Sequence, residues 1–281
     1  MAINVSLQAL ASGDWVAGSR LSRKLLDELL NEGLLLVAAH GSKKSYRARD
    51  TEALKRFLID KDEKYRILDV RASRSRASMA AETGNSKLLM VRSCPGFPVN
   101  SYEPIECLMG SKPFVVNPQE GCFLFIADWD KFAIPQDVTV IGIENMENFR
   151  MIRHQKRFYE EYLKKHRLSS KALFVSRYPQ STDLRKWLTS ITNHYLHFGD
   201  FDLAGIHIFQ SEFEQYLGSS RSSFLIPEDI VARLALGSSQ RFDEQYNRFN
   251  NISSENKELQ KLINLILRHR KGYDQEGYID R

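Results

Sequence analysis

Asp200 and Asp202 stand two residues apart in Gly199-Asp200-Phe201-Asp202-Leu203-Ala204-Gly205, just after an apolar run from His194 to Phe198. Glu144, in Ile143-Glu144-Asn145, closes an earlier run of β-forming residues. Carboxylates grouped in this way suit a hard divalent cation. Mg²⁺ prefers carboxylate and water oxygens, and one or two carboxylates plus a substrate phosphate usually hold it. The chemistry this predicts is phosphodiester chemistry. Taken singly, Asp200 or Asp202 reads as a cap on the following helix, and Glu144 as a helix-start acid facing the dipole. The conjunction of all three at the ends of separate strands favours a site. Gly199 and Gly205 add to it, since glycine lets backbone pack closely where a bulky residue would crowd the acids.

The elements that must position these acids alternate between strand and helix. The pattern predicts a strand over Val138–Ile143, a helix from Met146 to about Arg167, a strand over Ala172–Ser176 and a helix over Thr182–Ile191. A strand over His194–Phe198 and a helix over Leu203–Leu217 follow. Such alternation predicts an α/β fold with a parallel sheet flanked by helices. In open parallel sheets ligands gather beyond the carboxyl ends of the strands. Glu144, Asp200 and Asp202 all fall there.

The N-terminal 61 residues read differently. Ser6–Ala11 is a short amphipathic turn, and Arg20–Glu32 is a helix with Leu21, Leu25, Leu26, Leu29 and Leu30 at helical spacing. Gly33 stops it. Leu34–Ala38 and Lys44–Arg47 read as the strands of a hairpin turning at His40-Gly41-Ser42, and Asp50 caps a last helix through Lys61. Helices followed by a basic hairpin form the winged-helix pattern, in which a helix enters the major groove and the wing touches backbone. Arg20, Arg23 and Lys24 on the helix, with Lys43, Lys44, Arg47 and Arg49 on the wing, are the expected DNA contacts. The same fold also serves protein contacts.

Residues 62–121 read as a linker or irregular region. It holds a basic segment with Arg71, Arg74 and Arg76, a short helical run over Ala77–Glu82, and Pro/Gly punctuation around Cys94-Pro95-Gly96-Phe97-Pro98 and Lys112-Pro113. Thr83-Gly84-Asn85-Ser86-Lys87 lacks the spacing and the preceding strand of a phosphate loop, so nucleotide binding is rejected there. Residues 122–281 make up the expected catalytic domain.

Bulk properties agree. A chain of 281 residues buries a sizeable core and most simply makes two domains. No apolar run approaches the roughly 18 residues of a membrane span, and no signal pattern opens the chain. Cys94, Cys107 and Cys122 show neither metal spacing nor a disulfide framework, which predicts a reducing, cytoplasmic location. Residues 1–80 carry 15 Lys and Arg against 10 Asp and Glu, and the rest carries 25 of each, so the formal excess of +5 sits entirely in that N-terminal part. A basic module beside an acidic centre fits a nucleic-acid enzyme.

The glutamate motif at Ile143-Glu144-Asn145 and the Asp-x-Asp motif at Asp200 to Gly205 resemble the Toprim domain of topoisomerases, primases and several nucleases. With a winged helix in front, the chain is similar to the A subunit of topoisomerase VI and, more closely, to the JetD nuclease subunits of Wadjet anti-plasmid systems. Glu144 to Phe149, Ser176-Arg177-Tyr178-Pro179 with Arg185, and Asp274-Gln275-Glu276-Gly277 carry further similarity. The resemblance implies Mg²⁺ or Mn²⁺ held by Asp200 and Asp202, with Glu144 as ligand or general acid/base and Glu276 completing the site. Arg177 and Lys186 are candidate phosphate contacts. It also implies cleavage of double-stranded DNA by a homodimer, since two cuts need two sites related by a two-fold. An SMC-like ATPase is the expected partner, because this chain carries no ATP motif and any energy-driven step must come from another polypeptide. The tyrosines nearest a topoisomerase VI role, Tyr46 and Tyr65, do not reproduce that family's motif, so hydrolysis is expected over a tyrosine nucleophile. A non-catalytic winged-helix regulator and an enzyme acting on RNA are the alternatives.

Overall fold

The computed structural model describes residues 5–41, 43–62, 65, 68, 94–179 and 181–279. Two compact units divide the chain, residues 1–93 and 94–281. The expectations for Arg71, Arg74, Arg76, Ala77–Glu82 and Thr83–Lys87 lie outside the described residues.

In the first unit the helix Val5–Ala11 leads to β1 (Val16–Ala17), a 3₁₀ turn over Gly18–Arg20 and the helix Arg23–Asn31. The hairpin β2 (Leu35–His40) and β3 (Lys43–Ala48) follows, then the helix Thr51–Lys61. The three strands form an antiparallel sheet in the order β1-β3-β2. The middle helix starts at Arg23 rather than Arg20 because the Ser22 side chain accepts from the Leu25 N–H and caps it there. Asp50 caps the last helix through the Glu52 and Ala53 N–H groups, as expected. Leu10, Leu29, Leu54 and Leu58 are fully buried in this unit's own core.

The second unit is mixed α/β, built on a six-stranded, mostly parallel sheet flanked by helices. Its strands are β4 (Phe97–Asn100), β7 (Leu124–Ile126), β9 (Thr139–Ile143), β10 (Ala172–Ser176), β11 (Tyr195–Phe198) and β12 (Ser222–Phe224), in the order β12-β11-β9-β10-β4-β7. β12, β11, β9 and β10 run parallel, while β4 and β7 are antiparallel additions at one side. Every residue of β9, β10 and β11 is buried. Helices covering both faces of a parallel sheet demand such continuous apolar strands. The sequence expectations of strand, helix, strand, helix therefore hold in this half.

Two expectations are corrected here. The region 62–121 is not an irregular linker throughout: from residue 94 onward it belongs to the second unit. Phe97–Asn100 pairs with β10, and β5 (Ile105–Met109) and β6 (Lys112–Val116) make a hairpin joined by β8 (Phe132–Ala133). Pro98 and Pro113 hid these strands, since proline argues against a strand interior. The second correction concerns the helix predicted from Met146 to Arg167. It is two helices, Met146–Arg150 and Lys156–Lys165. Gln155, fully buried, explains the break. Its amide donates to the Asn148 and Met151 carbonyls, while its oxygen accepts from Asn148 Nδ2.

Candidate functional site

Glu144 follows β9 and its N–H donates to the Phe198 carbonyl of the adjacent strand β11. Asp200 and Asp202 follow β11. Parallel pairing of β9 with β11 thus brings the ends that carry the three acids side by side. The sheet does the positioning.

Asp202 is almost wholly buried and caps the helix Leu203–Ile208, its Oδ1 accepting from the Gly205 N–H at 2.8 Å. The capping role expected for one of these acids is therefore present. It uses only one of the two oxygens. Oδ2 accepts from Gln245 Nε2 at 2.9 Å and faces Arg241 Nη1 at 3.4 Å. Asp200 repeats the arrangement. Its Oδ1 accepts from the Gln275 N–H at 3.0 Å, and its Oδ2 faces the same Arg241 Nη1 at 3.2 Å. Arg241 also pairs with Asp274.

Burial pushes the Asp200 carboxyl up to about 6. The charges of Asp202 and Glu144 push the same way, while the Gln275 N–H and Arg241 pull it down. Desolvation wins. Burial also works against the charge on Arg241, but Asp274, Asp200 and Asp202 outweigh it and hold the guanidinium above its ordinary value.

Glu144 lies in a second set of contacts. Its Oε1 meets Arg177 Nη1 at 3.4 Å, and Arg177 forks onto Glu212 through Nε at 3.2 Å and Nη2 at 2.6 Å. Glu144 Oε2 is buried with no hydrogen-bond partner, and His197 Nε2, 3.8 Å away, is likewise unpaired. That gap is beyond hydrogen-bonding reach. His197 Nδ1 is engaged by Tyr195 Oη at 2.9 Å on the other side of the ring. Gly199 makes the space: a Cβ there would lie 2.8 Å from Glu144 Oε2 and 2.9 Å from His197 Nε2. Buried polar atoms are ordinarily paired, so the unpaired Glu144 Oε2 is an oxygen with acceptor capacity to spare at a strand end.

The sequence-predicted residues divide into those the fold gathers and those it does not. Glu144, Asp200 and Asp202 share one end of the sheet. Glu276 joins them, since its Oε1 accepts from Asn145 Nδ2 at 2.6 Å, next to Glu144. Arg177 is an ion-pair partner of Glu144 and Glu212 rather than an open phosphate contact. Lys186 is exposed on the helix Thr182–Ser190. Arg20, Arg23, Lys24, Lys43, Lys44 and Arg47 are exposed in the first unit. On β3 the alternation places Lys43 and Arg47 on the outward face, while Tyr46 on the other face is buried with its ring against Gly18; Lys44, near the strand's start, is exposed as well.

Arg241, Gln245, Glu212 and His197 escaped sequence reasoning. Arg241 and Gln245 lie one helical turn apart on Ser239–Phe249, a pattern identical to that of any solvated helix. Glu212 sits where the helix begun at Leu203 widens into a π stretch, Phe209–Glu214. Such widened turns are frequent at functional sites. Asp274 had a signal, since it opens the Asp274-Gln275-Glu276-Gly277 motif.

Among the described residues no three His, Cys, Asp or Glu side chains stand close enough together to hold a metal ion as they are placed. The donor chemistry nevertheless fits a hard cation. The groups are all oxygen acids, Glu144 Oε2 is unpaired, and Asp200 and Asp202 each hold one oxygen away from the backbone.

Residues 111–280, more than half of the chain, match the family described as Domain of unknown function (DUF7281). The chain belongs to this family. The DUF7281 match takes in Glu144, Asp200, Asp202, Arg241 and Glu276 together. No curated protein matches the chain. No helix among the described residues is long and apolar enough to cross a membrane.

Proposed function

We propose that this protein is a divalent-metal-dependent endonuclease of the Toprim type, hydrolysing phosphodiester bonds in double-stranded DNA. One observation carries the reading. Asp200 and Asp202 are each anchored through one oxygen to a backbone N–H, turn the other toward Arg241, and adjoin Glu144, whose Oε2 is buried and unpaired, on the neighbouring parallel strand. This is the strand-end placement at which open α/β sheets bind ligands.

In this reading Asp200 and Asp202 hold Mg²⁺ or Mn²⁺, with Glu276 close by. When bound, the ion supplies electrostatic stabilisation to the charge that develops on the phosphoryl and leaving oxygens. Glu144 takes up or returns a proton at Oε2, the oxygen with no competing partner. Arg177 orients Glu144 through its ion pair, itself held by the fork onto Glu212.

The first unit is read as a winged helix that holds the duplex. Its helix-strand-helix-strand-strand-helix order, its antiparallel sheet and the exposed Lys43, Lys44 and Arg47 of the hairpin support this. Two copies per duplex, and an SMC-like ATPase in plasmid or phage defence, follow from the resemblance to JetD.

The decisive experiment is cleavage of supercoiled plasmid in Mg²⁺ or Mn²⁺, wild type against Asp200→Ala/Asp202→Ala. Nicking or linearisation that needs metal and vanishes in the double variant is expected. Cleavage that survives in the variant rejects the site. A tyrosine nucleophile makes a separate prediction. Since Tyr46 is a buried core ring, Tyr46→Phe is expected to leave cleavage within about twofold of wild type, given that surface and near-isosteric changes are small. A covalent DNA adduct lost in Tyr46→Phe would instead revive strand cleavage of the topoisomerase VI kind.

A further inference from the structure

Both Oδ2 atoms that Asp200 and Asp202 leave unanchored converge on a single nitrogen, Arg241 Nη1, at 3.2 and 3.4 Å. Asp274 closes on the same nitrogen from a third side. One positive donor atom thus answers three carboxylates at once. The backbone anchors explain why the acids do not relax apart. Gly205 N–H and Gln275 N–H hold the Oδ1 atoms irrespective of what faces the Oδ2 atoms. Gln245 holds Asp202 Oδ2 as well, so Asp202 keeps a partner if Arg241 leaves. The arginine itself is not locked in. Its side chain is about a third exposed, at 33 %, on a surface helix, and solvent offers it a hydrated position at modest cost.

We propose that Arg241 is an internal competitor of the divalent cation. It neutralises Asp200, Asp202 and Asp274 in the metal-free protein and must swing out for metal to enter. The proposal rests on the metal-centre reading above and extends it: Arg241 sets how much free metal the site requires. It is a positioning residue, not a metal ligand. Without it the three acids repel one another, which burial aggravates. The metal-free protein therefore gains stability from Arg241, and that gain is what an incoming ion must displace.

The test is Mn²⁺ binding alone, without DNA, to the full chain. Titration by calorimetry and by the electron paramagnetic resonance of free Mn²⁺ would compare wild type, Arg241→Gln, Arg241→Lys and Arg241→Gln/Asp200→Asn. Melting curves with and without the ion would run beside them. Arg241→Gln is expected to bind Mn²⁺ about tenfold or more tightly, as removal of a competing charge-assisted pair implies. It should melt lower than wild type in chelator and recover when Mn²⁺ is added. Arg241→Lys keeps the charge and should bind near the wild-type level, and the double variant should lose the gain. If wild type binds Mn²⁺ and Arg241→Gln binds it no more tightly, Arg241 is not a competitor and the metal centre still stands. If neither protein binds Mn²⁺, both the competition and the metal centre are wrong, and the acids serve the fold.

Discussion

Asp200→Asn is expected to abolish metal-dependent cleavage while making the metal-free protein more stable at neutral pH. Few substitutions do both. The folded chain holds the Asp200 carboxyl near 6, above its ordinary value of 3.8. A carboxyl raised on folding binds its proton more tightly in the native state. Its contribution to stability is complete below the unfolded value and declines as pH rises through the folded one. At pH 7 to 8 the wild type therefore carries a buried, poorly solvated charge, which asparagine removes. That value already includes the pull of Arg241, and the Asp200 side chain is 28 % exposed, so solvent screening brings the expected gain to on the order of 2 kcal/mol rather than the full shift at about 1.4 kcal/mol per unit. For a unit of this size that corresponds to a rise of about 4–8 °C in melting temperature. The difference from wild type should open between about pH 4 and pH 6 and stay level above, with the shift as its origin. Thermal melts in chelator across that range check the sign. A variant that is less stable at pH 8 than wild type would show that the Arg241 pair outweighs burial. Stability forgone at a working site is the usual sign that a residue is kept for chemistry.

Gly205→Ala is expected to damage both fold and site. On helix propensity alone the change should help by about 1 kcal/mol. Packing reverses the sign. A Cβ at position 205 would lie 2.3 Å from the Asp200 carbonyl oxygen, and 3.1 and 3.2 Å from its carbonyl carbon and nitrogen. All three contacts are backbone, so no flexible side chain can yield, and overpacking of this kind costs typically 1–3 kcal/mol or more. The strain falls on the loop that carries Asp200 and on the Gly205 N–H that holds Asp202 Oδ1 at 2.8 Å. A net loss of about 2 kcal/mol in urea unfolding is expected, with Mn²⁺ binding and cleavage weakened together. A Gly205→Ala protein as stable and active as wild type would mean that the approach of Asp200 to this helix is not needed by the site.

The two corrections to the fold share a physical cause. Phe97–Asn100 has all four residues buried yet contains Pro98, in register with Phe125 of the next strand. Local reading counts a proline against a strand, whereas the sheet uses the segment because its neighbours supply partners. In the same way, Met146 to Arg167 has apolar residues at helical spacing, and no local rule ends the helix at Arg150. Buried Gln155 ends it by taking the Asn148 and Met151 carbonyls, an arrangement stable only once Tyr159 and the sheet enclose it.

The sequence by itself determined the alternation of strand and helix, the apolar runs of the central strands, the helix cap at Asp50, and the acids at strand ends. All of these are short-range: a period of two or 3.6, a capping side chain, a charge placed where an apolar run stops. Tertiary structure alone decided what those acids face. Arg241, Gln245 and Gln275 reach Asp200 and Asp202 from segments far along the chain, Glu212 reaches Arg177 from a widened helical turn, and His197 faces Glu144 only because β9 and β11 pair in parallel. Spacing records where a carboxylate sits along a strand. Whether it is buried, and whether a cation or an arginine answers its charge, depends on packing between distant segments, which no local pattern encodes.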